Sequence, residues 1–404
     1  MMTTTQRHEF FVIASMFLLA SLTPFTLDGY TPSLPSIALV FHANEGLVQL
    51  TMSLFLLGSA LTQLIYGPLS DRFGRKKIIL IGISLCLFGS ILCTLSKTIL
   101  WLITARFIQG AGTGAANSLF RAVMRDVFGG NRMAQVASYL GMAFTVVLAA
   151  APVLGGYFQV HFGWRASFIF MAALSAFDLI IIARFLPETN GNLSADSTRL
   201  SVIGKTYYSL LSHRNFVAYT LCSTIAFASL MTYYAIGPFL LQNDLKFTPI
   251  QFGYMSILIA GTTTIGQFIN AKLVLEYGTE KMLRVGVYLM LLSGISMVAI
   301  FFLGIFSKIA IILPVLLIST AAGFVFSNAM AGAFYPFPHI AGMAGAMYGS
   351  LQILGSGAST LIASSFLPSQ ASLAFTELAL ALCALGMVKQ INPHQPLAHA
   401  RGAD

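Results

Sequence analysis

Residues 67–77 read Gly67-Pro-Leu-Ser-Asp71-Arg72-Phe-Gly74-Arg75-Lys76-Lys77, one carboxylate among four cations in a turn that glycine permits. The stretch joins two apolar runs, over 47–66 and 78–96. Each is about 20 residues long, enough at about 1.5 Å of rise per residue to cross roughly 30 Å of hydrocarbon. A basic anchor beside a membrane needs the cations, but not Gly67, Asp71 and Gly74 at those positions. The loop is therefore a specific device between two spanning helices.

Composition extends this reading to the whole chain. Of 404 residues 57% are hydrophobic and only 9% charged, where soluble domains run near 25% charged. Further apolar runs fall near 10–30, 99–120, 134–158, 166–186, 213–236, 250–271, 282–304, 309–332, 344–367 and 371–388, so twelve spans are expected. Residues 10–26, preceded by Arg7, are long for a signal peptide and lack a small-residue cleavage site, so they are read as a retained first span. Cys86, Cys93, Cys222 and Cys383 all lie in apolar runs without metal or disulfide spacing, and are expected to be small buried hydrophobes.

Twenty-two Lys and Arg against 13 Asp and Glu give a net charge of +9, expected to face anionic lipid rather than nucleic acid. With both termini inside, seventeen of these cations fall in cytoplasmic segments, and Lys97, Arg165, Lys246 and Lys308 alone in outer loops. The remaining one, Arg106, falls within the fourth span. The longest polar stretch, over 187–213, divides six spans from six. The expected organisation is an N-terminal six-helix bundle over 1–186, a cytoplasmic linker over 187–212, a C-terminal bundle over 213–388 and a cytoplasmic tail over 389–404. Faint repetition links the halves: Asp28-Gly-Tyr-Thr-Pro32 parallels Tyr234-Ala-Ile-Gly-Pro238, and Gly58 and Gly74 parallel Gly261 and Gly278. Two parallel repeats about a central cavity are a transporter layout.

Three further stretches carry chemistry. Arg106-Phe-Ile-Gln109-Gly110-Ala-Gly112-Thr-Gly114 sets a cation inside the apolar region, costly unless paired or hydrated, followed by glycines that let helices approach closely. Ala151-Pro152-Val-Leu-Gly155-Gly156 must bend, because Pro152 removes a backbone donor. Leu27-Asp28-Gly-Tyr30-Thr-Pro32-Ser-Leu-Pro35 is read as the outer end of the first span.

These motifs resemble those of the major facilitator superfamily. Residues 67–76 match its loop signature G-x-L-(A/S)-D-R-x-G-R-(R/K), residues 106–112 look like its R-x-x-Q-G-x-G motif, and residues 151–156 are similar to the G-P-x-x-G-G motif of drug exporters, with Ala151 replacing the first glycine. The D-x-Y-x-P-x-x-P run at 28–35, and Pro336-Phe-Pro-His-Ile-Ala341-Gly342-Met-Ala-Gly345 with Gln352, Gly355 and Gly357, resemble the Bcr/CflA group, EmrD-type exporters among them. The resemblance implies an all-α integral membrane protein of the major facilitator fold, twelve transmembrane helices in two pseudo-symmetric six-helix bundles. It further implies a gate in which Asp71 pairs across the cytoplasmic seam and Arg72 and Arg75 hold neighbouring helices, with Gly67, Gly74, Pro152, Gly155 and Gly156 as its other parts, and a link between Arg106 and proton transfer. The second-half counterpart of the loop, over 270–281, keeps only Gly278 and scattered charge.

No histidine sits deep in a span, so a proton carrier is expected to be a carboxylate: Asp28 first, tuned by Arg106 or by a cationic substrate. Asp178 and Glu377 fall in the sixth and twelfth spans, peripheral in this superfamily, and are assigned a proton or lipid-facing role at most. Tyr30, Gln63, Gln109, Tyr139, Tyr233, Tyr234, Gln267, Asn328 and Gln352 are the cavity candidates. Apolar walls with adaptable Phe and Met suit varied lipophilic ligands.

The leading expectation is a proton-driven exporter of amphipathic drugs or toxic small molecules across the bacterial inner membrane. The alternatives are a dedicated exporter of one endogenous metabolite, such as a siderophore, amino acid or sugar, and a non-transporting membrane sensor. No nucleophile and base constellation, metal cluster or phosphate loop points to an enzyme or to ATP drive. The expected partners are a lipophilic small molecule, in one reading cationic, together with protons and membrane lipids. No cofactor, metal or nucleic acid is expected, and the chain is expected to work as a monomer.

Overall fold

The computed structural model describes residues 4–128, 130–191, 193, 200–337 and 340–391. Arg199, Arg401, the tail beyond 391, linker residues 192 and 194–199, and Pro338 and His339 lie outside the described residues. The helices are α1 (Thr4–Asp28), α2 (Leu34–Phe41), α3 (Glu45–Phe73), α4 (Arg75–Thr94), α5 (Ile99–Val127), α6 (Gly130–Phe162), α7 (Arg165–Phe185), α8 (Leu200–Ser212), α9 (Arg214–Pro238), α10 (Pro249–Tyr277), α11 (Thr279–Phe302), α12 (Lys308–Phe334), α13 (Ala341–Ala363) and α14 (Gln370–Val388). With α1 and α2 taken as one interrupted rod and α8 set aside in the linker, these form the twelve expected rods, packed as two six-helix bundles. Among the described residues, ten are long and apolar enough to cross a membrane. The two that fall short, α5 and α13, are rich in Gly, Ala and Ser, and their small side chains let them pack inside rather than face lipid.

The first rod differs from the reading of residues 27–35 as the end of a span. After Asp28 the chain makes one 3-10 turn over Thr31–Ser33 and resumes as α2 to Phe41. Pro32 and Pro35 both occupy first-turn positions, where no intrahelical donor is lost, so they restart the helix instead of ending it. Asp28 is consequently interior to the rod and buried, 2% exposed. The seventh rod repeats the device, since α9 passes through Pro238 into a π-helical turn over Phe239–Asp244.

Of the six helices that begin at the end remote from the 67–77 loop, all but α7 carry side-chain N-caps: Asn44, Thr98, Ser307, and the capping boxes Thr248 with Gln251 and Ser369 with Ser372. At the loop end, α4 is capped from a distance. Gly74 turns with φ +97°, and the Glu188 carboxylate accepts from the Arg75 and Lys76 amides at 2.8 and 3.2 Å, in the space a Cβ at Gly74 would fill. Gly278, at the equivalent place in the second half, turns likewise with φ +83°.

The bundles meet along two seams, α3 against α13 and α6 against α10. In the first, Ser53 Oγ lies 2.9 Å from Thr360 Oγ1, and Ser350 Oγ donates to the Ala60 carbonyl at 2.8 Å. In the second, contact is made at the end remote from the loop: Ser256 Oγ donates to the Ala149 carbonyl, Gly253 and Gly156 meet the carbonyls of Pro152 and Pro249, and the Tyr157 and Tyr254 hydroxyls lie 2.8 Å apart. At the same end Gln242 donates to the Pro32 carbonyl and Asn243 to Glu45. Towards the loop end Met142 on α6 and Phe268 on α10 are each 60% exposed.

Candidate substrate cavity and its buried charges

A cavity of about 370 Å³ lies between the bundles. Its walls include Leu27, Phe55, Phe144, Leu148, Phe227, Met231, Ile259 and Phe326, an apolar surround of the kind that binds by shape and leaves orientation to a few polar groups. Those groups include Asp28 and Thr23 on α1, Ser59 and Gln63 on α3, Asn117 and Arg121 on α5, Tyr234 on α9, Gln267 on α10 and Gln352 on α13, beside the hydroxyls of Thr145, Ser256, Thr263 and Thr264. Asp28 and Tyr234, equivalent in the two repeats, both line this cavity. Towards the loop end a second cavity of about 180 Å³ continues the space, sharing Gln63, Asn117 and Arg121 and adding Arg125 and Gly342.

Arg106 stands behind the cavity wall, fully buried. Its guanidinium is stacked between the rings of Tyr30 and Phe55, 4.1 and 4.2 Å from their centroids. It donates to the Thr26 carbonyl at 2.7 Å, to the Thr51 carbonyl at 3.4 Å and to Gln109 Oε1. Gln109 passes the contact on to Ser90 Oγ at 2.8 Å, and Tyr30 is fixed by Thr51 at 2.9 Å. Arg106 makes no ion pair among the described residues, yet its charge reaches Asp28. Two faces of aromatic density and three carbonyl-type acceptors thus hold the cation where an unpaired charge is otherwise prohibitive.

Of the cavity candidates, Gln63, Tyr234, Gln267 and Gln352 line the central space. Tyr30 and Gln109 belong to the Arg106 cradle. Tyr139 is exposed on α6. Tyr233 points into the second bundle against Phe252, and Asn328 is bound to Asn270 and the Phe324 carbonyl. Asp178 and Glu377 are buried, 0% and 2% exposed, against other helices, and among the described residues none of their carboxylate oxygens accepts a hydrogen bond.

At the loop, Asp71 pairs with Arg75 of its own half at 2.5 Å, and Arg75 reaches Asp126 of α5 at 3.0 Å. Arg72 lies over the Phe73 ring, and Gly67 packs beside Ser118. Asn190 donates to the Asp71 carbonyl, and Tyr207 of α8 donates to the Leu64 carbonyl. Burial, reinforced by Asp71, pushes the Tyr207 phenol up to about 12, so it remains a donor. Asp71 shares a cleft with Ile340, Gly342 and Met343 at the start of α13. In the bend, Gly155 abuts the Gly29 carbonyl and Gly156 that of Pro249, so the two glycines serve two different neighbours.

Sequence reading missed Asp126 and Glu188 at the loop, and Thr23, Ser59, Asn117 and Arg121 in the cavity. A signal for part of this was present: Arg106, Gln109, Thr113, Asn117, Arg121 and Arg125 recur at three- and four-residue intervals, a polar stripe down one face of α5.

The sequence profile of the Major Facilitator Superfamily matches residues 16–388. The chain is 29% identical over 374 residues to a bicyclomycin resistance protein homolog of Haemophilus influenzae, covering 92% of this chain and 93% of that one. It is 30% identical over 328 residues to multidrug resistance protein D of Escherichia coli, covering 81% and 82%. Among solved structures, the partially occluded inward open conformation of the xylose transporter XylE from E. coli superposes with a TM-score of 0.71 at 14% identity, over 95% of this chain and 98% of that one, a likeness of fold.

Proposed function

Because the chain belongs to the major facilitator superfamily, we propose that it is a proton-coupled exporter of amphipathic drugs or toxic small molecules, working by alternating access across the bacterial inner membrane. The observation that carries this reading is Asp28: a buried carboxylate on the wall of an apolar cavity between the bundles, within the field of a buried arginine and with Oδ1 accepting no hydrogen bond. A carboxylate so placed is available to a proton in one half-cycle and to substrate in the other, which is the competition that exchange requires. The names of the bicyclomycin and multidrug resistance relatives agree with export. The charge ratio of seventeen to four puts the 67–77 loop and both termini in the cytoplasm. The cavity then faces the cytoplasm in this conformation, with the outer end sealed. Asp28 and Arg106 serve proton coupling, Gln63, Tyr234, Gln267 and Gln352 contact substrate, and one chain suffices.

Proteoliposomes with an acidified interior test this. Adding lipophilic cations and neutral drugs is expected to release protons from vesicles holding the wild type and not from those holding Asp28→Asn. Undiminished release from Asp28→Asn removes the carboxylate from its role, and silence across the panel in both removes broad drug export.

A further inference from the structure

The two ends of the cavity carry opposite charges that the protein itself leaves unanswered. At one end Asp28 Oδ1 accepts no hydrogen bond. At the other, Arg121 lines both the central cavity and its continuation and forms no ion pair among the described residues. The neighbouring charges are occupied: Asp126 is held by Arg75 at 3.0 Å, with Arg125 3.9 Å away on its other oxygen. Among the described residues, no carboxylate but Asp28 lines either cavity.

The two charges are also well separated. Thr23 Oγ1 and Asn117 Oδ1 meet at 2.9 Å, fixing α1 against the antiparallel α5 at that level. Asp28 lies five residues beyond Thr23 in one direction and Arg121 four residues beyond Asn117 in the other, so they stand roughly 14 Å apart along the bundle at about 1.5 Å per residue. The walls between them are the aliphatic and aromatic side chains described above, with Gln63 Oε1 accepting no hydrogen bond at the Arg121 end. Asp28 is buried, so an anion-only ligand leaves its charge unanswered, the costly state. Arg121 is exposed towards the open end, where water answers it, and a cation-only ligand leaves it without a counter-charge once the cavity closes around the ligand.

We propose that Arg121 is an anion-recognising residue of the cavity, and that the preferred substrates are elongated amphipathic zwitterions, with an amine at Asp28, a carboxylate at Arg121 and an apolar body between. The assignment rests on the export reading for its direction of transport, but not for its binding chemistry. Arginine suits the task, because its planar fork meets a carboxylate with two parallel donors.

The test uses three probes of one length, 12-aminododecanoate, dodecylamine and dodecanoate, titrated onto the full chain in lipid nanodiscs with empty nanodiscs subtracted. The zwitterion is expected to bind more tightly than either singly charged probe. Arg121→Gln is expected to weaken 12-aminododecanoate and dodecanoate at least about tenfold, the cost of one charge-assisted contact, while dodecylamine changes less than about twofold. Arg121→Lys keeps the charge, controls for folding and is expected to retain part of the preference. Dodecylamine binding tightest, and tightening further in Arg121→Gln, overturns the proposal, as does binding of none of the three. Proton release in proteoliposomes is read separately: antiport without zwitterion preference sinks this inference alone, and zwitterion binding without proton movement sinks only the antiport reading.

Discussion

Arg106 shows how one residue is made tolerable inside a membrane. Stacking on Tyr30 and Phe55 answers the faces of the guanidinium, and the Thr26, Thr51 and Gln109 oxygens answer its edge. A lysine keeps the charge but offers neither the plane nor the divergent donors. Arg106→Lys is therefore expected to lose about 2–4 kcal/mol of stability, from two cation–aromatic contacts and a hydrogen bond, and to abolish proton-coupled transport. Thermal unfolding in detergent checks the first and vesicle pH the second; an unchanged melting temperature means that the cradle is not what holds the residue. The sequence made Arg106 legible because a cation amid apolar residues is conspicuous. Tyr30 and Gln109, taken as cavity residues, belong instead to its cradle, and nothing in their spacing from Arg106 distinguishes a residue facing the cavity from one facing the arginine. Arg121 was hidden for the opposite reason: near a helix end a cation reads as an anchor, and only the course of the cavity reveals that it lines the open end.

At the scale of elements, the glycines of α5 work alternately. Gly110 and Gly114, four apart, present one face to α3, where a Cβ would overlap the Phe55 carbonyl or Thr62 Oγ1, while Gly112 turns the other face to α4 and the Cys86 backbone. Gly110→Ala must therefore push two helices apart and is expected to destabilise by about 1–3 kcal/mol. Gly141→Ala on α6, where a Cβ meets nothing within 4 Å, is expected to be neutral or stabilising by up to about 1 kcal/mol. Equal melting temperatures for the two variants would show that the close approach carries no weight. The twelve rods were legible in the apolar runs, because a membrane demands length and apolarity of each. What apolarity does not report is which side a residue faces, since lipid is as apolar as the core. Hence Cys383, expected to be buried like the other three, is exposed on α14, and Asp178 and Glu377, given at most a proton or lipid-facing role, are buried against other helices. Proline misled in the same way, marking a restart at residues 32 and 35 where an end was expected.

In the whole molecule, two bundles joined by two seams have one rigid-body freedom that matters, a rocking which opens one end as it closes the other. The seam between α6 and α10 is made at the end remote from the loop through the Gly253, Gly156 and Tyr157–Tyr254 contacts, and that between α3 and α13 runs from Ser53–Thr360 past Ser350–Ala60. These named contacts are polar or small, and beside them Met52, Phe55 and Leu56 of α3 share one apolar cluster with the second bundle, so opening that seam also exposes apolar surface. Glu188, Asn190 and Tyr207 tie the linker side of the loop to α3 and α4, so the loop moves with its own bundle. Ser53 and Thr360 offer the means to arrest the motion. Their side-chain oxygens are 2.9 Å apart, and cysteines in those places reach the about 2.0 Å sulfur separation of a disulfide with a small local shift. In a Cys383→Ser background, which removes the exposed thiol and leaves the three buried ones, Ser53→Cys with Thr360→Cys is expected to cross-link on oxidation and to stop transport, with reductant restoring it. Binding of a probe from the open end is expected to survive, because the cavity in this conformation is already accessible there. Transport that continues through the cross-linked protein would mean that the Ser53–Thr360 seam stays closed throughout the cycle, and that access alternates by bending of helices rather than by rocking of bundles.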